Sequence, residues 1–280
     1  MKYSINTLLI TALLITALLL FSCSPEKEGT HSGPLISKVD IQEDSIEIID
    51  NNFIPNSTII EKQQNLINNS NVLEKLTEYG LENQETKVNI TTKFGSIKIR
   101  LFKDTPLHRA NFIMLTKRNY FDSTLFYRVI NNFVVQGGNS DRDNVAVKMA
   151  RIGQYRVPDE IHSHHIHKRG VIAMAVHEQY DIPESEKDKR SSPYNFYIVQ
   201  QKPLSENYMD KLEKRYKFSI PAKNRKTYNK YGGVPHLDGD FTVFGEVYSG
   251  MSVIDKIATQ STDAYDRPIE DLFITVDVIK

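Results

Sequence analysis

Two short apolar segments, residues 126–130 and 133–138, constrain the fold of this chain more than any other feature. An Asn-Asn dipeptide separates them, and asparagine tolerates the positive φ that a tight turn between strands requires. Side chains alternate between the two faces of a strand, so Phe126 and Arg128 are predicted to share a face. The second segment ends in two glycines, which permit a sharp backbone turn. We therefore expect a β-hairpin at this place.

Arg128 is the unusual residue of the first segment, because it places a charge in the middle of an apolar strand. Its guanidinium must reach water, a carboxylate or a ligand. The residues alone leave two interpretations open. The side chain can extend along a solvated sheet face with its charge in water, or it can belong to a binding or catalytic site.

The two segments read Phe-Tyr-Arg-Val-Ile and Phe-Val-Val-Gln-Gly-Gly, and they resemble the signature of the cyclophilin family of peptidyl-prolyl isomerases. A second block, Leu-Asp-Gly-Asp-Phe-Thr-Val-Phe-Gly at residues 237–245, resembles a further motif of that family in the same order. The resemblance covers about residues 88–280. It implies a mainly β fold, a closed eight-stranded antiparallel barrel capped by two helices. An N-terminal helical extension and a helical insertion are expected in addition.

The resemblance also implies which residues form the site. Arg128 takes the catalytic role, and Phe133 and Gln136 act beside it. Gln136 is expected to hold both Arg128 and the substrate carbonyl. The substrate-binding residues that the resemblance implies are Phe126, Val134, Met174, Ala175, Asn195, Tyr197, His236, Leu237 and Phe241.

The chain departs from the family pattern at five positions in or near this site. Val176 stands where the family usually has Asn, Asn195 where it has Gln, and Tyr197 where it has a pocket Phe. His236 stands where many eukaryotic members have Trp, and Phe241 where many have His. These departures keep a second function open, a proline-recognising chaperone or binding module with little or no turnover.

The reaction that the resemblance implies needs no cofactor, because rotation about an X-Pro bond changes no covalent bond. The barrier is about 20 kcal/mol and comes from amide resonance. A guanidinium near the proline nitrogen can donate a hydrogen bond that forms fully only in the twisted amide. The expected partners are proline-containing segments of unfolded or exported proteins. The equal numbers of acidic and basic residues, 35 each, give no indication of nucleic-acid binding.

The N-terminus has the pattern of a targeting segment. After Lys2, residues 8–21 are almost entirely apolar, which is shorter than the ~20 residues of a membrane span and typical of a signal peptide. The single cysteine, Cys23, follows a small residue and resembles the lipidation site of a bacterial lipoprotein. We expect acylation there, with palmitate among the possible chains, and a membrane-anchored protein of the cell envelope that faces the periplasm or the cell surface. The alternative is a plain signal peptide with an incidental cysteine.

The predicted organisation has three parts. Residues 1–22 are the lipoprotein signal peptide, 23–86 a tether and amphipathic helical extension, and 87–280 the cyclophilin-like domain with an insertion at about 202–234. In the extension, apolar residues recur at nearly helical spacing and predict one or two helices that end at Gly80. These helices can pack on the domain or pair with a partner. The insertion is predicted to form two helices that border the substrate entrance.

Alternation over residues 87–102 predicts a β-hairpin, and Thr105-Pro106 predicts the start of a helix with Thr105 as N-cap. Residues 162–167 then contain four histidines. In an extended segment, His162 and His164 would share one face and His165 and His167 the other, so that at most two neighbours can bind one ion, and no cysteine is available. No metal site is therefore predicted. A metal-binding lipoprotein that uses this cluster remains a third alternative.

Overall fold

The computed structural model describes residues 66–177, 183 and 186–279. The predicted signal peptide, Cys23, the tether and the first part of the predicted extension lie outside the described residues. Within the described ranges, no helix combines the length and the apolar composition that a membrane span requires.

The described chain forms ten strands and six α-helices. The strands are β1 (Ile67–Asn68), β2 (Lys87–Thr92), β3 (Gly95–Leu101), β4 (Thr124–Val129), β5 (Val134–Asn139), β6 (Gly153–Gln154), β7 (Val171–Val176), β8 (Ser191–Val199), β9 (Val243–Ser249) and β10 (Phe273–Val278). The helices are α1 (Val72–Glu82), α2 (Pro106–Lys117), α3 (Asp143–Ile152), α4 (Glu206–Tyr216), α5 (Ala222–Tyr231) and α6 (Met251–Ala258).

Eight of the strands close into a barrel, in the order β10-β2-β3-β9-β7-β8-β5-β4. Every neighbouring pair in the ring is antiparallel. The predicted mainly β fold and the closed eight-stranded barrel are thereby confirmed. The strands β1 and β6 stand outside the ring and form a two-residue parallel pair.

Period-two alternation builds the barrel interior. In the hairpin β2–β3, Val88 and Ile90 face Ile99 and Ile97 across the strand pair, and all four are fully buried. The intervening residues of both strands are partly or fully exposed. The predicted hairpin over residues 87–102 is therefore confirmed, and its apolar half faces the core.

The helices α2 and α6 add their apolar faces to the same core cluster as the barrel strands. Pro106 occupies the first turn of α2, as predicted, but the Thr105 hydroxyl makes no hydrogen bond to any described residue. The Glu160 carboxylate caps the helix instead, because the backbone N–H groups of Leu107 and His108 donate to it at 2.9 Å. An anion at this position is favourable for the helix dipole as well. Thr105 occupies the N-cap position, as predicted, but its hydroxyl does not provide the cap.

The extension packs on the domain through α1. The Arg109 guanidinium of α2 donates to the carbonyl oxygens of Gly80 and Asn83 at 3.2 and 2.8 Å. Gly80 was predicted to end the helix, but α1 continues through it to Glu82. The residue is small because α1 crosses α2 there, and a Cβ on Gly80 would lie 3.1 Å from the Ala110 Cβ.

The helix α3 was not predicted, because its sequence mixes polar and apolar residues. Only Val145 and Ile152 of this helix are buried. It ends at Gly153, whose φ of +130° is open to glycine alone, and a Cβ at this position would overlap the Ile67 carbonyl oxygen. The close approach of the two backbones is what allows the short pair β1–β6 to form.

The insertion forms the two predicted helices, α4 and α5. The two helices share a small apolar cluster of buried residues, namely Leu204, Met209, Leu212, Ile220 and Tyr228. Arg225 of α5 pairs with Glu206, Asp210 and Glu213 of α4. Some of the basic charge of this segment is therefore neutralised inside the insertion.

Candidate active site

Side chains on one sector of the barrel alternate between the interior and the outer surface. On β5, Val135 belongs to the interior cluster and Val134 to a second, outer cluster. On β8, Ile198 and Tyr197 divide in the same way. The buried members of the outer cluster are Val134, Val171, Ala173, Tyr197, Val199, Val234 and Val243. Partly buried residues that pack against it are Phe102, Phe133, Ala175, Leu237 and Phe241.

The strand registers join this outer cluster to Arg128. Arg128 of β4 lies opposite Gln136 of β5, Gln136 lies opposite Tyr197 of β8, and Tyr197 lies opposite Ala173 of β7. Residues opposite each other in antiparallel strands are close neighbours on one face. A single row of side chains therefore runs from the arginine to the apolar pocket.

The contacts of Arg128 are few and long. Its Nη1 donates to the Gln136 Oε1 at 3.4 Å, and its Nε lies 3.5 Å from the Asp266 Oδ2. The side chain is 41% exposed, and a guanidinium has five N–H donors. Most of its donors therefore face solvent or the groove, the surface that runs along this row of side chains toward the apolar pocket. Gln136 is itself held by a 2.8 Å hydrogen bond from its Nε2 to the Tyr127 hydroxyl. Burial raises the pKa of Tyr127 to about 12, so this hydroxyl keeps its proton at neutral pH.

Two predicted substrate-binding residues point away from the groove. Phe126 is buried in the interior cluster, where its ring meets Phe196 edge-on at 6.1 Å. The prediction that Phe126 shares a face with Arg128 was wrong, because a β-bulge between them shifts the alternation. Met174 is fully buried in the same interior cluster. Its side chain therefore cannot line the groove, whereas Ala175 packs against the outer cluster.

Aromatic rings form one wall of the pocket. His236 and Leu237 lie on a short 3-10 turn, Pro235–Leu237. The His236 ring is parallel to Phe133, at 5.9 Å, and stacks on Tyr216 of α4 at 4.3 Å. Burial, together with the positive charge of Arg215, lowers the pKa of His236 to about 4. The insertion thus contacts the groove through Tyr216, and the wall is an uncharged aromatic surface at neutral pH.

A buried polar network lies behind the pocket. The Tyr197 hydroxyl is 2.9 Å from the His167 Nε2, and the His167 Nδ1 is 3.0 Å from the Asp238 Oδ1. Asp238 also accepts the His167 backbone N–H at 2.8 Å and the Tyr228 hydroxyl at 2.6 Å. Burial and the nearby carboxylate of Asp238 raise the pKa values of both tyrosines. Both hydroxyls therefore remain donors, and the network fixes the ring of Tyr197.

Asn195 and Phe241 complete the described side of the groove. Asn195 precedes Tyr197 by two residues on β8 and is partly exposed on the same face. Its Oδ1 is buried without a hydrogen-bond partner among the described residues. The Phe241 ring meets the Tyr197 ring edge-on at 5.8 Å and closes the pocket from the β9 side.

Four residues of the site were missed from the sequence, namely Tyr127, His167, Tyr216 and Asp238. One signal pointed to His167. A tyrosine at position 197, in a buried pocket, needs a polar partner for its hydroxyl, and a search for that partner among nearby histidines was possible. No pattern in the sequence indicated the roles of Tyr127 and Tyr216.

A second buried histidine has the arrangement of a hydrolytic triad but cannot act as one. The His108 Nδ1 lies 2.7 Å from the Glu160 Oε2, and its Nε2 lies 2.9 Å from the Ser191 Oγ. Ser191 and His108 are both fully buried, so that no substrate can reach the hydroxyl. The three residues instead join α2 to β8 and support the barrel.

The segment with four histidines was expected to be extended, but it forms a turn in the structure. A turn closed by a 3.0 Å hydrogen bond from the His165 N–H to the His162 carbonyl brings three of the rings together. His167 is separated from them and belongs to the buried network described above. The expectation that His164 and His165 face opposite sides was therefore wrong, because both rings contact Asp104.

Comparison with known proteins gives concordant results. A family model described as cyclophilin type peptidyl-prolyl cis-trans isomerase/CLD matches residues 87–278. A protein of Staphylococcus epidermidis that is named for peptidyl-prolyl cis-trans isomerase activity is 31% identical over 202 residues, which cover 71% of this chain and 94% of that protein. A similarly named protein of Staphylococcus haemolyticus is 28% identical over 200 residues, covering 71% and 93% of the two chains.

A crystal structure of a cyclophilin type peptidyl-prolyl cis-trans isomerase from Cryptosporidium parvum aligns with a TM-score of 0.49 and 20% identity, over 70% of this chain and 98% of that one. The family model matches more than half of the chain and ends one residue before the last described position. This protein therefore belongs to the cyclophilin-type peptidyl-prolyl cis-trans isomerase family.

Proposed function

We propose that this isomerase accelerates exchange of X-Pro bonds through a hydrogen bond from Arg128 to the proline nitrogen of the twisted amide. The observation that carries the proposal is the cross-strand row from Arg128 through Gln136 to Tyr197. This row puts an incompletely bonded guanidinium next to the apolar side chains of the outer cluster. The pocket holds one side of the bond while the other side turns.

The energetic argument is one of differential binding. In the planar amide the nitrogen lone pair is delocalised and accepts hydrogen bonds poorly, whereas in the twisted amide it is localised and basic. A donor placed at that nitrogen therefore stabilises the transition state more than either ground state. A preorganised donor of this kind contributes a factor of about 10² to 10³ to the rate. The remaining acceleration comes from the pocket, which excludes water and restricts the ring.

Gln136 and the aromatic wall position the substrate. The Gln136 Oε1 accepts from Arg128, and its Nε2 donates to Tyr127, which fixes the amide with its polar end toward the groove. The pocket for the ring is formed by Phe133, Tyr197 and Leu237, with Val134 as its buried base. None of these groups needs to change its protonation state during the rotation.

The proposal is tested by cis/trans exchange of a short X-Pro peptide, measured by NMR with the full chain and its Arg128→Ala variant. We expect the wild type to accelerate exchange and the variant to lose a factor of about 10² to 10³. Arg142→Ala is a matched control, because Arg142 is also half-exposed and its carboxylate partner, Asp271, lies 4.0 Å away. Exchange should be unchanged in that control.

Two results would contradict the proposal. An Arg128→Ala variant that retains full activity would remove the arginine from the mechanism. A wild type that binds the peptide without accelerating exchange would favour the alternative, a proline-recognising module with little turnover. Asn195, which stands where the family has the longer Gln, would then be the first residue to replace, in an Asn195→Gln variant.

For the cellular role, we propose a membrane-anchored protein that assists the folding of exported proteins, with Cys23 as the lipidation site. The apolar run of residues 8–21 and the position of the single cysteine support this proposal. A Cys23→Ser variant should be absent from the membrane fraction of the cells that produce it. Mass spectrometry of the wild type should detect the mass of the attached acyl chains. A wild type without acyl mass would contradict the lipoprotein assignment and leave the isomerase proposal unaffected.

A further inference from the structure

A group of imidazoles converges on Asp104, on the loop between β3 and α2. The His164 Nε2 lies 2.9 Å from the Asp104 Oδ2, and the His165 Nε2 lies 2.9 Å from both carboxylate oxygens. The His162 Nε2 lies 2.8 Å from the backbone oxygen of the same residue. The ring centroids of His164 and His165 are 4.2 Å apart. Two imidazole nitrogens therefore contact one carboxylate, and a third contacts the backbone oxygen of the same residue, on segments about 60 residues apart in the chain.

The group is partly fixed by packing, but it is not a buried structural network. The His165 ring stacks on Phe102 at 4.2 Å, with 14° between the planes, and is only 14% exposed. His164 and Asp104 are 61% and 48% exposed. One ligand is thus fixed by packing, while the other two are open to solvent, so that an ion can enter without a change in the fold.

We propose that Asp104, His164 and His165 bind a divalent first-row transition-metal ion, with Zn²⁺, Ni²⁺ and Cu²⁺ as the fitting class. One donor atom from each of these residues lies within 4.8 Å of the other two, which small side-chain movements can bring to the bond lengths of about 2.0–2.2 Å that zinc takes with imidazole and carboxylate. Two imidazoles with one carboxylate suit these ions. Ca²⁺ and Mg²⁺ prefer six or more oxygen ligands, and the group offers a single carboxylate.

Binding of a metal ion would replace the hydrogen bonds between Asp104 and the two histidine rings. A metal takes the imidazole lone pairs at Nε2 and the carboxylate oxygens, which now face each other. Water completes the coordination sphere, and His162 remains on the backbone carbonyl. The ion then joins the β3–α2 loop to the histidine turn. Because Phe102 packs on the outer cluster that also holds Tyr197, the site stiffens a region adjacent to the pocket without being part of it.

The test is equilibrium dialysis of the full chain against Zn²⁺, with thermal unfolding in parallel. We expect one Zn²⁺ per chain with an affinity in the micromolar range or tighter, and a rise in the unfolding midpoint with Zn²⁺ concentration. The His164→Gln and Asp104→Asn variants should each weaken binding by at least about 100-fold, since even groups behind a metal ligand contribute 10–100-fold. His177→Gln is the matched control and should bind as the wild type does.

Ligand type is tested separately with Cu²⁺ and Ca²⁺. The electron paramagnetic resonance spectrum of the Cu²⁺ form should show coupling to two imidazole nitrogens, and His164→Gln should reduce it to one. Ca²⁺ should not bind at concentrations at which Zn²⁺ saturates. The proposal is overturned if Zn²⁺ shows no saturable binding, if both ligand variants bind it as the wild type does, or if Ca²⁺ competes equally.

Discussion

The two sides of the groove are held in different ways. On the catalytic side, Arg128 is 41% exposed and its contacts to Gln136 and Asp266 are 3.4 and 3.5 Å long. On the pocket side, His167 is fully buried, and its hydrogen bonds to Asp238 and Tyr197 are 2.8 to 3.0 Å long. One side is loosely bonded and the other is tightly fixed.

In the proposed mechanism, this difference follows from what each side has to do. The proline ring binds in the same way throughout the reaction, so the surface that holds it is best fixed in advance. The guanidinium must form its best hydrogen bond only when the amide is twisted, so it must not be saturated by partners in the ground state. We therefore expect substitutions on the pocket side to change stability and those on the catalytic side to change turnover.

The largest effect on stability is expected for Asp238→Ala. The substitution leaves the Tyr228 hydroxyl and both donors of His167 without their acceptor. Unsatisfied buried groups of this kind cost about 1–3 kcal/mol each, and partial access of water to this carboxylate reduces the sum to about 3 kcal/mol in unfolding free energy. Urea denaturation measures it. Asp240→Ala is the control, because its half-exposed pair with Lys189 contributes less than about 1 kcal/mol. Equal losses in both variants would contradict the network.

Tyr197→Phe removes one hydroxyl from the pocket side. The His167 Nε2 then loses its partner in a fully buried position, and the unfolding free energy should fall by about 1–2 kcal/mol. The ring remains, so the rate of X-Pro exchange per folded molecule should stay within about twofold, because the hydrophobic surface is unchanged. A loss of exchange without a loss of stability would reverse the assignment of this side.

Tyr127→Phe is the matched substitution on the catalytic side. It removes the hydroxyl that accepts from the Gln136 Nε2 at 2.8 Å. Gln136 then positions Arg128 less well, and exchange should slow by about five- to tenfold, the equivalent of one hydrogen bond of about 1 kcal/mol. Gln136 is partly exposed, so water replaces the lost partner and stability should change little. The same two assays as for Tyr197→Phe apply, and the two variants should show opposite results.

A pH-dependent effect on stability is expected from His236. The pKa of His236 is about 4 in the folded chain and about 6.5 in an unfolded one. Between these values the unfolded chain binds a proton that the folded chain does not, so stability falls as pH decreases from about 6.5 to 4 and then levels off. Urea denaturation at several pH values should show a smaller decrease in His236→Phe, which keeps the stack on Tyr216. An identical pH profile in wild type and variant would contradict a neutral His236.

The β2–β3 hairpin was predictable from alternation alone, whereas the closed eight-stranded barrel was predicted from the resemblance to the cyclophilin family. Val88 and Ile90 show the period of two that a half-buried strand requires, and the structure places both in the interior. The signature around Arg128 was equally visible, since a charge between apolar residues is rare in a strand. The helix α3 was not predictable, because only two of its residues, Val145 and Ile152, face the core.

The details of the site depended on features that have no sequence signal. The bulge in β4 moves Phe126 into the interior, and no residue in that strand is a glycine that would indicate it. Asp104 and the histidines are distant in sequence and meet only because the β3–α2 loop passes the turn at 162–165. Long-range proximity of this kind is a property of the topology rather than of local patterns.

The closed ring of strands has a further consequence for the proposed role in the folding of exported proteins. An open sheet presents unpaired backbone N–H and C=O groups at its edge, where an extended client segment can add as an extra strand and seed an aggregate. In the described part of this chain, every long strand has a neighbour on both sides. In that role a client segment would contact side chains rather than a free strand edge, because each of the eight described barrel strands already has two neighbours.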